Sequence, residues 1–267
     1  MTSTTADLRQ AAAWLARHGL TGTPPTPLLA TRLAARRRAR GAGLVLLAVL
    51  VIGAALTQAY EQLSTGRFGG SGRHSHLPPL VLAGLTVGLV LARAQLDRWV
   101  RRVDRQAALT LPRRVAYPIP LDWRAVPGRP HAVYAVATLT GAVVLAASAY
   151  TAPDAAVRYG ALVLLIGLLG VAAGIVVQLH DILTRPIVAD DEASLTADVV
   201  LRVEDARECT TPVVLWSLPA VLLFGDGLGW WNAGSLVLVL GAALALCLVQ
   251  RGSAPAVAVA RHATSPR

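Results

Sequence analysis

The chain of 267 residues contains no lysine at all; its 25 basic residues are all arginine. It has two cysteines, one methionine and two phenylalanines, and charged residues make up 15% of it, against about 25% in an ordinary soluble domain. Each shortage excludes something. Two cysteines, Cys209 and Cys247, cannot build a disulfide framework, so both are expected reduced and inert. Low charge, with 54% hydrophobic residues and a mean hydropathy of +0.54, excludes an ordinary soluble domain and predicts a polytopic membrane protein. The phosphate loop of nucleotide hydrolases, the GxSxG elbow, the HExxH zinc helix and the EF-hand loop are all missing. No catalytic residue, cofactor or resident metal is therefore expected, and the chain is read as non-enzymatic. The first 40 residues hold no continuous apolar run and end in RLAARRRARG, so the first span is expected to serve as an uncleaved signal anchor.

What is present is long apolar runs. A bilayer core needs about 20 apolar residues of helix. Six stretches meet or approach this, at about 43–60, 77–96, 132–151, 158–179, 212–230 and 234–250. The fifth is the weakest, since Pro219, Asp226 and glycines interrupt it. In lipid the backbone must satisfy its own hydrogen bonds within each run, so these stretches become helices whatever their β-branched content. Arginine then orients them. Seven arginines precede the first span, nine fall between the second and third, three between the fourth and fifth, and three follow the last. The other side carries Arg67, Arg73 and Arg158. Cytoplasmic loops keep the positive excess, so both termini are expected in the cytoplasm. The reading is an all-α polytopic membrane bundle of six transmembrane helices arranged as three hairpins. A basic cytoplasmic segment, 1–42, precedes the transmembrane domain, 43–250, with cytoplasmic loops at 97–131 and 180–211. Residues 251–267 form a flexible cytoplasmic tail. The location is the cell membrane, and arginines flanking apolar runs point to lipid, not nucleic acid.

The cytoplasmic segments carry helical patterns. Residues 6–19, ADLRQAAAWLARHG, put Leu8, Ala12 and Leu15 on one face with Trp14 beside it, which fits a helix lying on the membrane interface. TGTPPTP breaks it, and LLATRLAARRRAR runs into the first span with its arginines among anionic head groups. ARAQLDRWVRRVDRQAA continues the second span as helix, with a stripe of Leu96, Trp99, Val100 and Val103. YPIPLDWRAVPGRP then excludes a regular helix and predicts an extended strap.

Polar groups that could do chemistry are few. RHSH, Arg73 to His76, presents two histidines on an outside loop, but further ligands are missing nearby. His131 and His180 fall at span ends, an interfacial position. Asp226 is the one acid within a span, beside Gln58, Gln178, Thr86, Thr138, Thr140, Ser148 and Ser217. A proton-coupled pump needs more than this. GLLGVAAG and GAGLVLL supply small residues for close helix packing.

The stretch RPIVADDEASLTADVVLRVEDARE, 185–208, stands apart, with seven of the fifteen acids. As a helix from about Ser194 it puts Leu195, Val199, Val203 and Ala206 on one face, and Asp198, Glu204, Asp205 and Glu208 on a wet one, with Leu201 the exception. Asp198 with Arg202, and Glu204 with Arg207, are spaced to pair within the helix. Asp190, Asp191 and Glu192 suit the positive end of its dipole. The candidate docking residues are Leu195, Asp198, Val199, Val203, Asp205 and Glu208, and the apolar face Leu195–Val199–Val203 is left to pack on the chain's own spans, on the membrane surface or on a partner protein. Residues 185–207 of this Lys-free chain resemble a stretch in uncharacterised multi-spanning integral membrane proteins of actinobacteria, similar to ones often encoded beside ABC-transporter ATPases and small transcriptional regulators. The resemblance implies a membrane partner, or a permease-like subunit of an ABC-type transporter that couples to its ATPase through the 194–208 helix.

Overall fold

The computed structural model describes residues 4–67, 77–109, 115–117, 126–153, 155–184, 187–189, 192–211 and 230–264. Within them lie eight helices and one short ribbon: α1 (Thr5–Arg17), α2 (Pro27–Arg67), α3 (Leu77–Leu109), β1 (Val115–Tyr117), α4 (Arg129–Tyr150), α5 (Ala155–Thr184), β2 (Ile187–Ala189), α6 (Glu192–Thr210), α7 (Trp230–Gly252) and α8 (Ala256–Thr264). Five of them, α2, α3, α4, α5 and α7, are long and apolar enough to cross a membrane. Their outward faces carry Leu44, Val49, Ile52, Leu91, Val136, Leu169, Val237 and Leu244, all exposed. So much contiguous apolar surface is untenable in water and natural in lipid. The chain is a helical membrane protein. The predicted fifth span, 212–230, falls outside the described residues except for Trp230. The RHSH motif, Asp226 and Ser217 lie outside them as well.

The pairs α2–α3 and α4–α7 run antiparallel. On α2 and α3, Arg36 meets Asp104, Gly43 faces Arg93 and Gly53 faces Leu85. On α4 and α7, Gly141 faces Leu238, Gly234 faces Leu145, and His131 meets Ser253. α3 also packs on α5, and α5 on α4. Glycine makes room for a neighbour's side chain at two points: a Cβ at Gly170 would stand 2.8 Å from Val90 Cγ1, and one at Gly53 would stand 2.6 Å from Leu85 Cδ1, the end of a side chain that can shift. Gly41 and Gly174 face open space, so only part of each small-residue motif serves packing. The bundle core is Leu50, Leu89, Leu145, Leu164 and Leu168 with alanines of α4 and α5.

One end of the bundle carries a second core. The start of α2, the end of α3, the start of α4 and the ends of α5 and α7 meet there, and α1, α6 and α8 cap them. We call it the basic end, after its arginines. Local signals build it. Thr4 and Asp7 form a reciprocal capping box at the start of α1. Gly19, at φ +66°, closes α1: the N–H groups of Leu20 and Gly19 reach back to the carbonyls of Leu15 and Ala16. The Thr26 hydroxyl accepts from the Leu29 N–H at 3.2 Å, and Pro27 opens α2 where no N–H is needed. From there α2 runs unbroken into the first span, as the sequence predicts. β1 and β2 pair antiparallel, Val115 opposite Ala189 and Tyr117 opposite Ile187, and tie the segment after α3 to the lead-in of α6. The expected strap begins within this ribbon at Tyr117; its residues 118–125 lie outside the described set.

Three expectations change at this end. α1 buries Ala11, Trp14 and Leu15, while Ala12 is exposed. Its apolar face is thus Leu8–Ala11–Leu15, and it packs on protein, because α2, α6 and α8 offer a larger apolar surface than an interface would. The tail expected to be flexible folds as α8 over 256–264, with Ala260 fully buried against α6. α6 itself is covered almost all round: Val199, Val200, Leu201, Val203 and Ala206 are all buried. Of the face read as wet from the sequence, Asp198 is interior, while Glu204, Asp205 and Glu208 keep part of their surface at the rim.

Candidate functional site

The charged face of α6 meets the arginines of α2. Arg32, Arg36 and Arg40 recur every four residues and so form one stripe on α2. Opposite them stand Asp198, Asp205 and Glu208 of α6 and Asp104 of α3. Arg36 is gripped by two carboxylates at once. Its Nε and Nη2 donate to Asp205 at 2.8 and 2.6 Å, and its Nη1 and Nη2 donate to Asp104, both at 3.0 Å. Arg32 donates from Nη1 to Asp198 at 2.6 Å and from Nε to Asp104 at 3.3 Å. Arg202 donates from Nε to the other oxygen of Asp198 at 3.0 Å and from Nη1 to the Ile182 carbonyl at 3.3 Å. Three arginines and three aspartates thus cancel in one buried knot. Desolvation opposes the charge of Asp198, but Arg32 and Arg202 outweigh it and hold the carboxyl below its ordinary range.

The rim of the knot is wetter. Arg40 pairs with Glu208 at 2.6 Å with both side chains substantially exposed. Glu204 does not pair with Arg207. It accepts from Trp14 Nε1 at 3.1 Å and faces His18 Nε2 at 3.0 Å. The other His18 nitrogen, Nδ1, stands 2.8 Å from the Trp14 carbonyl. Both ring nitrogens of His18 thus stand within hydrogen-bond distance of an oxygen acceptor. Arg207 turns instead to the Ala254 carbonyl at 2.8 Å, and burial lowers its pKa from the usual value.

The six predicted docking residues divide accordingly. Val199 and Val203 are fully buried against the cap and Leu195 is partly buried there. Asp198 is held in the knot, and Asp205 is mostly covered by Arg36. Glu208 alone keeps an open rim position. The chain itself therefore occupies the face read as free for a partner. Of the two predicted intrahelical pairs, Asp198–Arg202 forms and Glu204–Arg207 does not. Asp190 and Asp191 lie outside the described residues. Arg32 and Arg36, expected among lipid head groups, face carboxylates, while Arg38 stays exposed and Arg37 pairs with Asp7. Cys209, on α6, is enclosed, and burial pushes its thiol up to about 12.

Two hollows flank the knot. A small one of about 110 Å³ lies between α2, α3, α5 and α6, with Arg93, Asp97, Asp181 and Gln178 in its wall. A larger cavity of about 660 Å³ lies between α1, α6 and the ends of α4 and α7. His131 sits at its edge, buried, with Nδ1 3.3 Å from the Ser253 hydroxyl; His180 is exposed. At bundle depth, the hydroxyls of Thr57, Thr86, Thr138 and Ser148 each donate to a carbonyl of their own helix. Among the described residues no three metal-ligating side chains gather in one place.

Comparison of the chain with protein-family models, with curated proteins and with solved structures gives no match.

Proposed function

We propose that the chain is a six-span protein of the cell membrane with both termini in the cytoplasm, non-enzymatic, acting through partner proteins at its basic end. The knot carries the proposal. It joins α2, α3 and α6 through paired charges, so the cap and the spans move as one body, and a partner held at the cap is mechanically tied to the bundle. Sidedness rests on arginine, which gathers at this end and is scarce at the other. The span count rests on the sequence, where 212–230 is the weakest of six apolar runs near the length of a crossing, and six runs make three hairpins. Thr211 lines the cavity at the basic end, beside Gln250 and Ser253. Trp230 begins α7, whose 23 residues put it about 33 Å from that end at 1.5 Å per residue. Cysteine labelling tests this after Cys209→Ala and Cys247→Ala. A membrane-impermeant maleimide applied outside should modify Ser71→Cys and spare Ser194→Cys; the reverse pattern overturns the topology.

A second reading, a permease-like subunit of an ABC-type transporter, draws on the same tie between α6 and the spans. An ATPase would then reach α6 through the rim acids Glu204 and Glu208, since the apolar face of α6 is covered. Capture of such an ATPase should be lost in Glu208→Ala with the fold intact. Retention of the ATPase in that variant would count against coupling through α6.

A further inference from the structure

We propose that the 660 Å³ cavity at the basic end is a binding site for a phosphate-bearing anion. This goes beyond the reading above and holds whichever side of the membrane that end faces. The argument begins with charge. The wall holds three arginines, Arg17, Arg40 and Arg207, against two acids; Glu208 is paired with Arg40 at 2.6 Å, and Glu204 accepts from Trp14 Nε1 and stands 3.0 Å from His18 Nε2. Arg17 and Arg207 remain outside any ion pair among the described residues, although Glu204 lies near enough to favour the charge of Arg207. Arg207 donates to one carbonyl, and its enclosed Nε has no acceptor among the described residues. This half-buried guanidinium has one hydrogen bond, to a neutral carbonyl, and loses more to burial than Glu204 returns, so its charge is undercompensated. An anion in the cavity supplies the missing countercharge, and the Gln250 side chain in the wall adds an amide donor.

Two planar guanidinium forks in one open hollow suit the tetrahedral oxygens of a phosphate. The volume lies within the range of about 300–1,000 Å³ usual for small-ligand clefts. Depth is the third observation. The cavity sits where the apolar faces of α4 and α7 end, between His131 near the start of one and Gln250 near the end of the other. A phospholipid phosphate lies at that depth, and a soluble phosphate compound reaches the same opening from water.

The test uses the full-length chain in mild detergent. Equal amounts of phosphatidylglycerol and phosphatidylcholine are offered, and retained lipid is counted by native mass spectrometry. Inorganic pyrophosphate is titrated separately by calorimetry. Wild type should retain phosphatidylglycerol, or bind pyrophosphate, about ten-fold better than Arg17→Gln and about hundred-fold better than Arg17→Gln/Arg207→Gln, each lost charged contact counting for about a decade. Arg17 is exposed, so the single variant keeps the test meaningful if the double variant misfolds. Arg105→Gln, on the exposed face of α3, is the control for unspecific charge. Binding of phosphatidylglycerol that pyrophosphate does not displace assigns the site to lipid; binding of pyrophosphate alone assigns it to a soluble compound. Binding of neither probe, or equal loss in Arg105→Gln, overturns the proposal.

Discussion

Replacing Arg36 with Met should free α6 from the bundle, and the size of the effect follows from the geometry. Arg36 donates four hydrogen bonds to two carboxylates. Met keeps much of the apolar stem and removes every one of them. Asp104, buried, keeps Arg32 at 3.3 Å, and the knot acquires one surplus negative charge. Removing one partner of a buried pair costs about 3–5 kcal/mol, chiefly because the charge left behind is desolvated. The double variant Arg36→Met/Asp104→Leu restores the balance, leaving Arg32 and Arg202 against Asp198 and Asp205, the last of which reaches water. It should recover to within about 1 kcal/mol of wild type, since an apolar replacement of a buried pair is often near neutral. Cys209 reads the result directly. It lies on α6, and burial raises its pKa to about 12, so alkylation requires α6 to open. In a Cys247→Ala background, Arg36→Met should raise the alkylation rate roughly 10²-fold or more, a decade for each 1.4 kcal/mol. A rate within about three-fold of wild type, or a double variant as fast as the single, would refute the claim that paired charge holds α6 in place.

Acid should loosen the same element in a defined window. The Asp198 pKa is depressed in the folded chain, so the unfolded chain binds the extra proton; the contribution is complete above the ordinary aspartate value of about 3.9 and fades as pH falls through the lower folded value. Cys209 accessibility, read by a pH pulse before alkylation at fixed pH, should be flat from pH 7 to 5 and rise below 4; a rise already at pH 6 contradicts this assignment. Trp14→Phe keeps the ring buried but removes the donor to Glu204, which should weaken α1 docking by about 1.5–3 kcal/mol and speed tryptic cleavage after Arg17 ten-fold or more. Gly170→Ala should lower thermal stability in detergent by about 1–3 kcal/mol, because the new Cβ meets Val90, whereas Gly174→Ala, facing open space, should leave the midpoint unchanged or higher.

The long helices were legible because composition and length decide them in lipid. The N-terminal helix, the continuation of α3 beyond its span and the unbroken run of α2 were legible too, each from periodicity with a cap or a breaker at its end. The face of α1 was misassigned by one position because alanines at 11, 12 and 13 give no contrast between its sides. The pairing of α6 with α2 was not legible for a different reason. Asp198 and Asp205 look like solvated charges when the helix is read alone. Only when their seven-residue spacing is set against the four-residue spacing of Arg32, Arg36 and Arg40 does each stripe become the other's complement. Both patterns are in the sequence, but nothing local says that α2 and α6 touch across about 170 residues. α8 was hidden by its shortness and alanine content, since a nine-residue helix is marginal until it finds a surface to pack on.

The separation of the knot's halves along the chain also sets an order of events during synthesis. Arg32 and Arg36 leave the ribosome well before Asp198 and Asp205, which follow 166 and 169 residues later. At about 5–20 residues per second that interval is roughly 10–30 s. For its length these arginines have no partner on α6, and they act as free positive charge while the first helices take their direction in the bilayer. Once α6 arrives, the same side chains are neutralised and enclosed. On the proposed topology, one set of residues thus serves first as a signal for insertion and then as a latch on the finished fold. A substitution such as Asp198→Asn therefore strikes assembly without disturbing orientation, whereas loss of the arginines strikes both.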